Sequence, residues 1–208
     1  MLQRKTIKPE LLAILRKIQR QSEFASMRLV GGTALALQLG HRNSVDLDFF
    51  GEWDLSVDFN GVLSRVGTVE QRKDSGNIRM YLVSGFKVDI VHYTYKWLAD
   101  AVEEGGIRMA SLADIAPMKL EAICKRGNKK DFMDMAALLE YFPLADMIRF
   151  HGEKYGIKNE FTIMRSLTYF VDAEDSPMPR MFNTMTWTQA KKRILDAVRE
   201  YERQTRMG

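Results

Sequence analysis

The stretch LVGGTALALQLGHRNSVDLDFF, residues 29–50, decides how the rest of the chain is read. An apolar pair runs into Gly31-Gly32-Thr33, a short helix-like segment follows, and the stretch closes on Ser44-Val45-Asp46-Leu47-Asp48-Phe49-Phe50. Side chains alternate faces along a strand. A strand over residues 45–50 therefore puts Asp46 and Asp48 on one side and sends Val45, Leu47 and Phe49 toward a core. Two carboxylates this close repel each other unless something cationic lies between them. A pair of hard divalent ions, Mg²⁺ or Mn²⁺, answers that need.

Thirteen residues, Thr33 to Val45, separate Gly32 from Asp46. Gly31-Gly32 lets the backbone pass close to a ligand with no Cβ in the way. The segment over residues 33–39 reads as a helix whose N-terminus aims free N–H groups at phosphate. A phosphate cradle followed by a metal-binding aspartate pair is the layout of a nucleotidyltransferase active site. The competing account is a glycine turn and a strand with two solvated aspartates, and the full pattern at this spacing argues against it. The pattern resembles the polymerase-β-type superfamily.

A chain of 208 residues can form one domain or two small ones around a proper core. No run of about 18 apolar residues occurs, so no transmembrane helix is expected. The N-terminus lacks an uninterrupted apolar segment and a small-residue cleavage site, so it does not read as a signal peptide. A single cysteine, Cys124, excludes an internal disulfide and fits a reducing cytoplasm. Its apolar helical surroundings place it in a core. His41, His92 and His151 are scattered without metal-ligand spacing. The net charge of +4 permits a polyanionic partner without requiring one. Basic residues gather at 119–130 and again at Lys191, Lys192, Arg193, Arg199, Arg203 and Arg206. Runs of this kind are most often solvated faces.

In order, a helix from Pro9 to about Arg20 precedes a strand at 28–31, the glycine turn and a helix that ends near Gly40. A second helix is expected over 57–66. Strands follow over 68–73, 78–83 and 87–92, separated by turn signals at Asp74-Ser75-Gly76-Asn77 and Ser84-Gly85. The third of these, Lys87-Val88-Asp89-Ile90-Val91, holds an aspartate inside an apolar run. Such a carboxylate is costly without a charged or metal partner, which makes Asp89 the candidate third carboxylate. From Ser111 the pattern turns helical, with a fresh start or kink expected at Pro117. Further helices are expected over 131–142, 144–155, 160–171 and 186–204, with a loop over 172–179. The fold class is α+β, with an α/β core over residues 1–109 and a helical region over 110–208.

The segment from Met118 to Asp134 is the second informative stretch. Lys119 at the start of a helix can reach a triphosphate, while Lys125, Arg126, Lys129 and Lys130 add charge. Asp131 and Asp134 lie one turn apart and share a face, and Asp131 is also placed to cap its helix.

These residues together resemble the AbiEii/AbiGii family of bacterial nucleotidyltransferase toxins. The match is carried by Gly31-Gly32-Thr33, Arg42, Ser44, Asp46 through Phe50, Asp89, Lys119, Arg126, Lys130-Asp131-Phe132 and Asp134. The resemblance implies a polymerase-β-like mixed sheet flanked by helices, a helical C-terminal region that completes the nucleotide site, an NTP substrate and Mg²⁺. It implies metal ligation by Asp46, Asp48 and Asp89, with Lys119 and Asp131 in the catalytic set. Nucleotide contacts would come from Gly31, Gly32, Thr33, Arg42, Ser44, Lys119, Arg126 and Lys130. Ser44 either bonds a γ-phosphate oxygen or orients Asp46. It further implies an antitoxin partner and a tRNA or other RNA acceptor. A protein hydroxyl as acceptor and a catalytically silent nucleotide- or RNA-binding module remain as alternatives.

Overall fold

The computed structural model describes residues 1–157 and 159–207, which divide into two compact units. The first comprises Met1–Tyr95 and Asp100–Ser111, and the second Lys96–Ala99 and the chain from Leu112 onward.

In the first unit, α1 (Pro9–Gln19) opens on proline, whose missing N–H costs nothing there, and buries Leu11, Leu12, Ile14, Leu15 and Ile18. Strand β1 (Arg28–Val30) runs directly into α2 (Gly31–Leu39), which buries five consecutive residues from Thr33 to Leu37. Gly40, at φ +72°, ends it in the left-handed conformation that glycine takes without strain. Then come β2 (Leu47–Gly51), α3 (Phe59–Ser64), β3 (Val69–Asp74), β4 (Ile78–Val83), β5 (Phe86–His92), β6 (Val102–Glu104) and β7 (Ile107–Met109). They form one mixed sheet in the order β3-β4-β5-β2-β1-β7-β6. The β2–β5 and β1–β7 pairs are parallel and the others antiparallel. Strands β2 and β5 alternate as their sequences require: Leu47, Phe49, Val88 and Ile90 are buried, while Asp48 and Asp89 face the other way. Phe24 meets Phe49 and Phe59 edge-on, with centroids 5.1 and 5.3 Å away.

The second unit holds α4 (Leu112–Lys125), α5 (Lys129–Leu138), α6 (Leu144–Tyr155), α7 (Glu160–Thr168), α8 (Val171–Glu174) and α9 (Trp187–Met207). Ala190, Ile194 and Val198 form the buried stripe of α9 at helical spacing. Phe132, Phe170 and Trp187 pack as a triad with centroids 5.0–5.8 Å apart. Asp114 and Lys154, both fully buried, pair at 2.7 Å. Asp114 also accepts hydrogen bonds from the Leu98 and Ala99 amides, and Lys154 donates to the Lys96 carbonyl. These bonds tie Lys96–Ala99 to the second unit, although a division at 109/110 assigns them to the first. No described helix is long and apolar enough to cross a membrane.

Several expected boundaries differ. The strand expected from Val45 begins at Leu47 because the Asp46 carbonyl is bonded by the Thr33 hydroxyl instead of joining the ladder. Val45 is consequently 46% exposed and contributes nothing to the core. Pro117 does not restart the helix, which runs through it from Leu112 to Lys125. Only one internal bond is lost to it, and burial of Ile115, Ala116, Pro117 and Leu120 holds the helix through. Helix α5 begins at Lys129 and stops at Leu138, short of 142, and α3 keeps only Phe59–Ser64. Helix α8 occupies part of the stretch expected as loop. Cys124 is half-buried, not core, and burial pushes its thiol upward despite a hydrogen bond from Ser166.

Candidate active site

In the first unit the parallel register sets Asp48 of β2 directly opposite Asp89 of β5. In-register neighbours on adjacent strands point to the same side, so the two carboxylates share a face. Asp46, two residues before Asp48, lies half-buried just ahead of the ladder. On the other side of β2, Val30 of β1 is registered with Asp48, and the chain then turns into α2. This puts the Asp48 carboxylate against the first residue of that helix. A Cβ built on Gly31, which sits at φ +68°, would stand 2.6 Å from Asp48 Oδ2. A Cβ on Gly32 would overlap the Arg42 guanidinium and lie 3.4 Å from Ser44 Oγ. Both glycines are thus fixed by close approach, and Gly31 by its backbone angle as well.

The loop between α2 and β2 is folded over this helix start. Thr33 Oγ1 stands 2.8 Å from Ser44 Oγ and bonds the Asp46 carbonyl. The Ser44 amide donates to the Thr6 carbonyl at 2.9 Å, and Arg42, buried, donates to the Asn43 carbonyl at 2.7 Å. The first unit therefore brings Gly31, Gly32, Thr33, Arg42, Ser44, Asp46, Asp48 and Asp89 into one neighbourhood. Among the described residues Asp89 Oδ1, which is buried, has no hydrogen-bond partner, while Oδ2 is 2.6 Å from the Lys87 ammonium. Lys87 had no place in the sequence-derived set. Its signal was the i, i+2 spacing to Asp89, which puts both on one face of a strand.

The donor set suits a hard divalent ion: all oxygens, two of the three carboxylates in register, and one buried carboxylate oxygen with no partner. Among the described residues, no three potential ligands are drawn in to metal-binding distance as the side chains stand.

The second unit carries the other expected residues. Lys119, expected to reach a triphosphate from the start of a helix, lies within α4 with its ammonium turned to two carboxylates. It is 4% exposed, and its ammonium lies 2.6 Å from Asp134 and 3.3 Å from Asp131, both fully buried. Arg126 is exposed on its outer side and grips Asp131 with two bonds, at 2.9 and 3.0 Å. Burial raises the Asp131 pKa. The Arg126 hydrogen bonds and the charges of Lys119 and Arg126 more than reverse that, so the carboxyl is held below its ordinary range. Asp131 lies in the first turn of α5 and makes no capping bond. Lys130, beside it, is half-buried.

The basic residues of α9 are largely committed to acidic neighbours. Lys191 pairs with Glu174, Lys192 and Arg199 with Asp196, and Arg203 with Glu200. Arg193 bonds Glu140 and the Ala136 carbonyl.

The sequence model of the family described as nucleotidyl transferase AbiEii toxin, type IV TA system, matches residues 13–205. The chain belongs to this family. It is similar to protein aq_aa25 of Aquifex aeolicus (strain VF5), with 36% identity over 157 residues that cover 71% of this chain and 75% of the relative. Among solved structures, a proposed nucleotidyltransferase from H. pylori superposes with a TM-score of 0.61 at 18% identity, covering 94% of this chain and 92% of that one. MenT4, the nucleotidyltransferase toxin Rv2826c from Mycobacterium tuberculosis H37Rv, gives a TM-score of 0.52 at 14% identity, covering 91% and 80%. At these identities the AbiEii chain shares the nucleotidyltransferase fold with both.

Proposed function

We propose that this AbiEii nucleotidyltransferase moves a nucleoside monophosphate from an NTP to an RNA hydroxyl, with tRNA as the acceptor class, and releases pyrophosphate. The observation that carries this reading is the in-register Asp48–Asp89 pair beside the Gly31-Gly32 helix start. Asp46, Asp48 and Asp89 are assigned as the ligands of Mg²⁺ or Mn²⁺. A divalent ion held there offsets charge on the phosphates and lowers the pKa of the attacking hydroxyl. Gly31 and Gly32 present backbone N–H groups to phosphate, with the Arg42 guanidinium beside them. The contact between Thr33 and Ser44 favours Ser44 as a residue that positions Asp46.

In the second unit, Arg126 and Lys130 are assigned to phosphate contact. Lys119 and Asp131 position Arg126, since Asp131 is anchored by the buried lysine and holds the guanidinium at two points. RNA is assigned to the basic segment 119–130, where Lys125 and Arg126 are exposed. The family supplies the antitoxin as partner, and an NTP and RNA as substrates fit a cytoplasmic enzyme.

The test is incubation with Mg²⁺, each labelled NTP and bulk tRNA. Label is expected in an RNase-sensitive band, and Asp48→Ala should lower transfer by on the order of 10³-fold by removing a metal ligand. A protease-sensitive, RNase-resistant band would replace RNA with a protein acceptor. No label from any NTP would leave a silent binding module.

A further inference from the structure

We propose that Lys87 is a tethered counter-ion of the carboxylate face, holding the position beside Asp89 that a divalent ion takes, so that metal enters there only by displacing its ammonium. The inference rests on the reading of Asp46, Asp48 and Asp89 as metal ligands. Its basis is the strand register. Leu47 pairs with Val88 and Asp48 with Asp89 along the parallel β2–β5 ladder. Lys87 stands two residues before Asp89 on β5 and so shares its face, and Asp46 lies just ahead of β2, near enough for its charge to act on the ammonium. The strand beyond contributes no charge, because Lys87 and Asp89 are registered there with Leu82 and Met80.

The contact differs from an ordinary surface pair, which contributes little. The Asp89 side chain is only 14% exposed, one of its oxygens meets Lys87 at 2.6 Å, and the other is buried without a partner. The charges of Asp89, Asp48 and Asp46 all act on the ammonium and favour its staying beside them. The ammonium offsets part of the negative charge at Asp89 and leaves its second oxygen open to a doubly charged ion. The ammonium therefore keeps the face from repelling itself in the absence of metal and weakens metal binding at Asp89.

The experiment is a Mn²⁺ titration of the whole protein, followed by the electron paramagnetic resonance signal of free Mn²⁺ without nucleotide. Lys87→Met should bind Mn²⁺ roughly tenfold tighter than wild type, in the range by which neighbours of metal ligands tune affinity. Lys87→Arg, which keeps the charge, should stay near wild type. The gain should vanish in Lys87→Met/Asp89→Asn. Without metal, Lys87→Met should also melt lower than wild type and gain more from added Mn²⁺. Equal affinity in wild type and Lys87→Met, with binding still lost in Asp48→Asn, overturns the role of Lys87 and leaves the metal reading standing. A gain that survives Asp89→Asn overturns the placement beside Asp89. No Mn²⁺ binding by any variant overturns both readings.

Discussion

Replacing Lys119 with methionine removes the ammonium that lies 2.6 Å from Asp134 and 3.3 Å from Asp131 while nearly preserving side-chain length. Both carboxylates are fully buried, and water has almost no access to the site. Arg126 still holds Asp131 at two points, so part of the buried charge stays paired. Removing one partner of a buried pair costs about 3–5 kcal/mol, because the remaining charge stays desolvated. We take the lower figure, given the surviving arginine. At about 2–4 °C per kcal/mol for a chain of this size, the melting temperature should fall by about 6–12 °C. The assay is a thermal melt followed by circular dichroism. The double variant Lys119→Met/Asp134→Leu supplies the control: an apolar pair in place of the ions should recover most of the loss, since buried pairs are often replaceable by apolar packing. If Lys119→Met melts within about 2 °C of wild type, the lysine is not the anchor of α4 to α5. A loss of NTP binding with no change in melting would return it to the phosphate-reaching role.

Acid should weaken the fold partly through Asp131. Its folded-state pKa lies below the ordinary 3.8, so its stabilising contribution is present above that value and is lost as pH falls through the lower one. Asp131→Asn should accordingly be less stable at neutral pH and lose less between about pH 4 and pH 2, as measured by denaturant midpoints across that range. On α9, Arg193→Glu should lower the melting temperature by several degrees, because its guanidinium bonds a backbone carbonyl of α5. Lys192→Glu, which changes only an exposed pair, should shift it by about 1 °C or less. Equal effects of the two would show that Arg193 does not tie α9 to α5.

The carboxylate face was legible because strand alternation alone orders its residues. In β2 and β5 the buried positions are Leu47, Phe49, Val88 and Ile90, with the aspartates between them. That Asp48 and Asp89 would be neighbours was not legible, since register comes from pairing across 41 residues and no local signal encodes it. The start of β2 was misplaced for a related reason: the Thr33 hydroxyl, 13 positions away, takes the carbonyl that would have extended the ladder. Strands β6 and β7 are three residues each, too short for any period to show. Their turn, Gly105-Gly106 with both φ angles positive, is the one part that carries a local signal, and it was not read as a hairpin. The burial of Lys119 was not legible, because in sequence it heads a basic run and looks free to reach phosphate. Only α5, folded against α4, supplies the two carboxylates that let it be buried.

The bonds from Asp114 and Lys154 to Lys96–Ala99 make the chain change units three times, after Tyr95, after Ala99 and after Ser111. No single cut can yield two intact fragments. A fragment ending at Ser111 keeps the Lys96–Ala99 strip but discards both of its anchors, leaving Trp97 without the lysine it packs under. During synthesis the same strip leaves the ribosome 58 residues before Lys154. The excursion out of the first unit is therefore the last part of that stretch of chain to be secured, and it waits on α6.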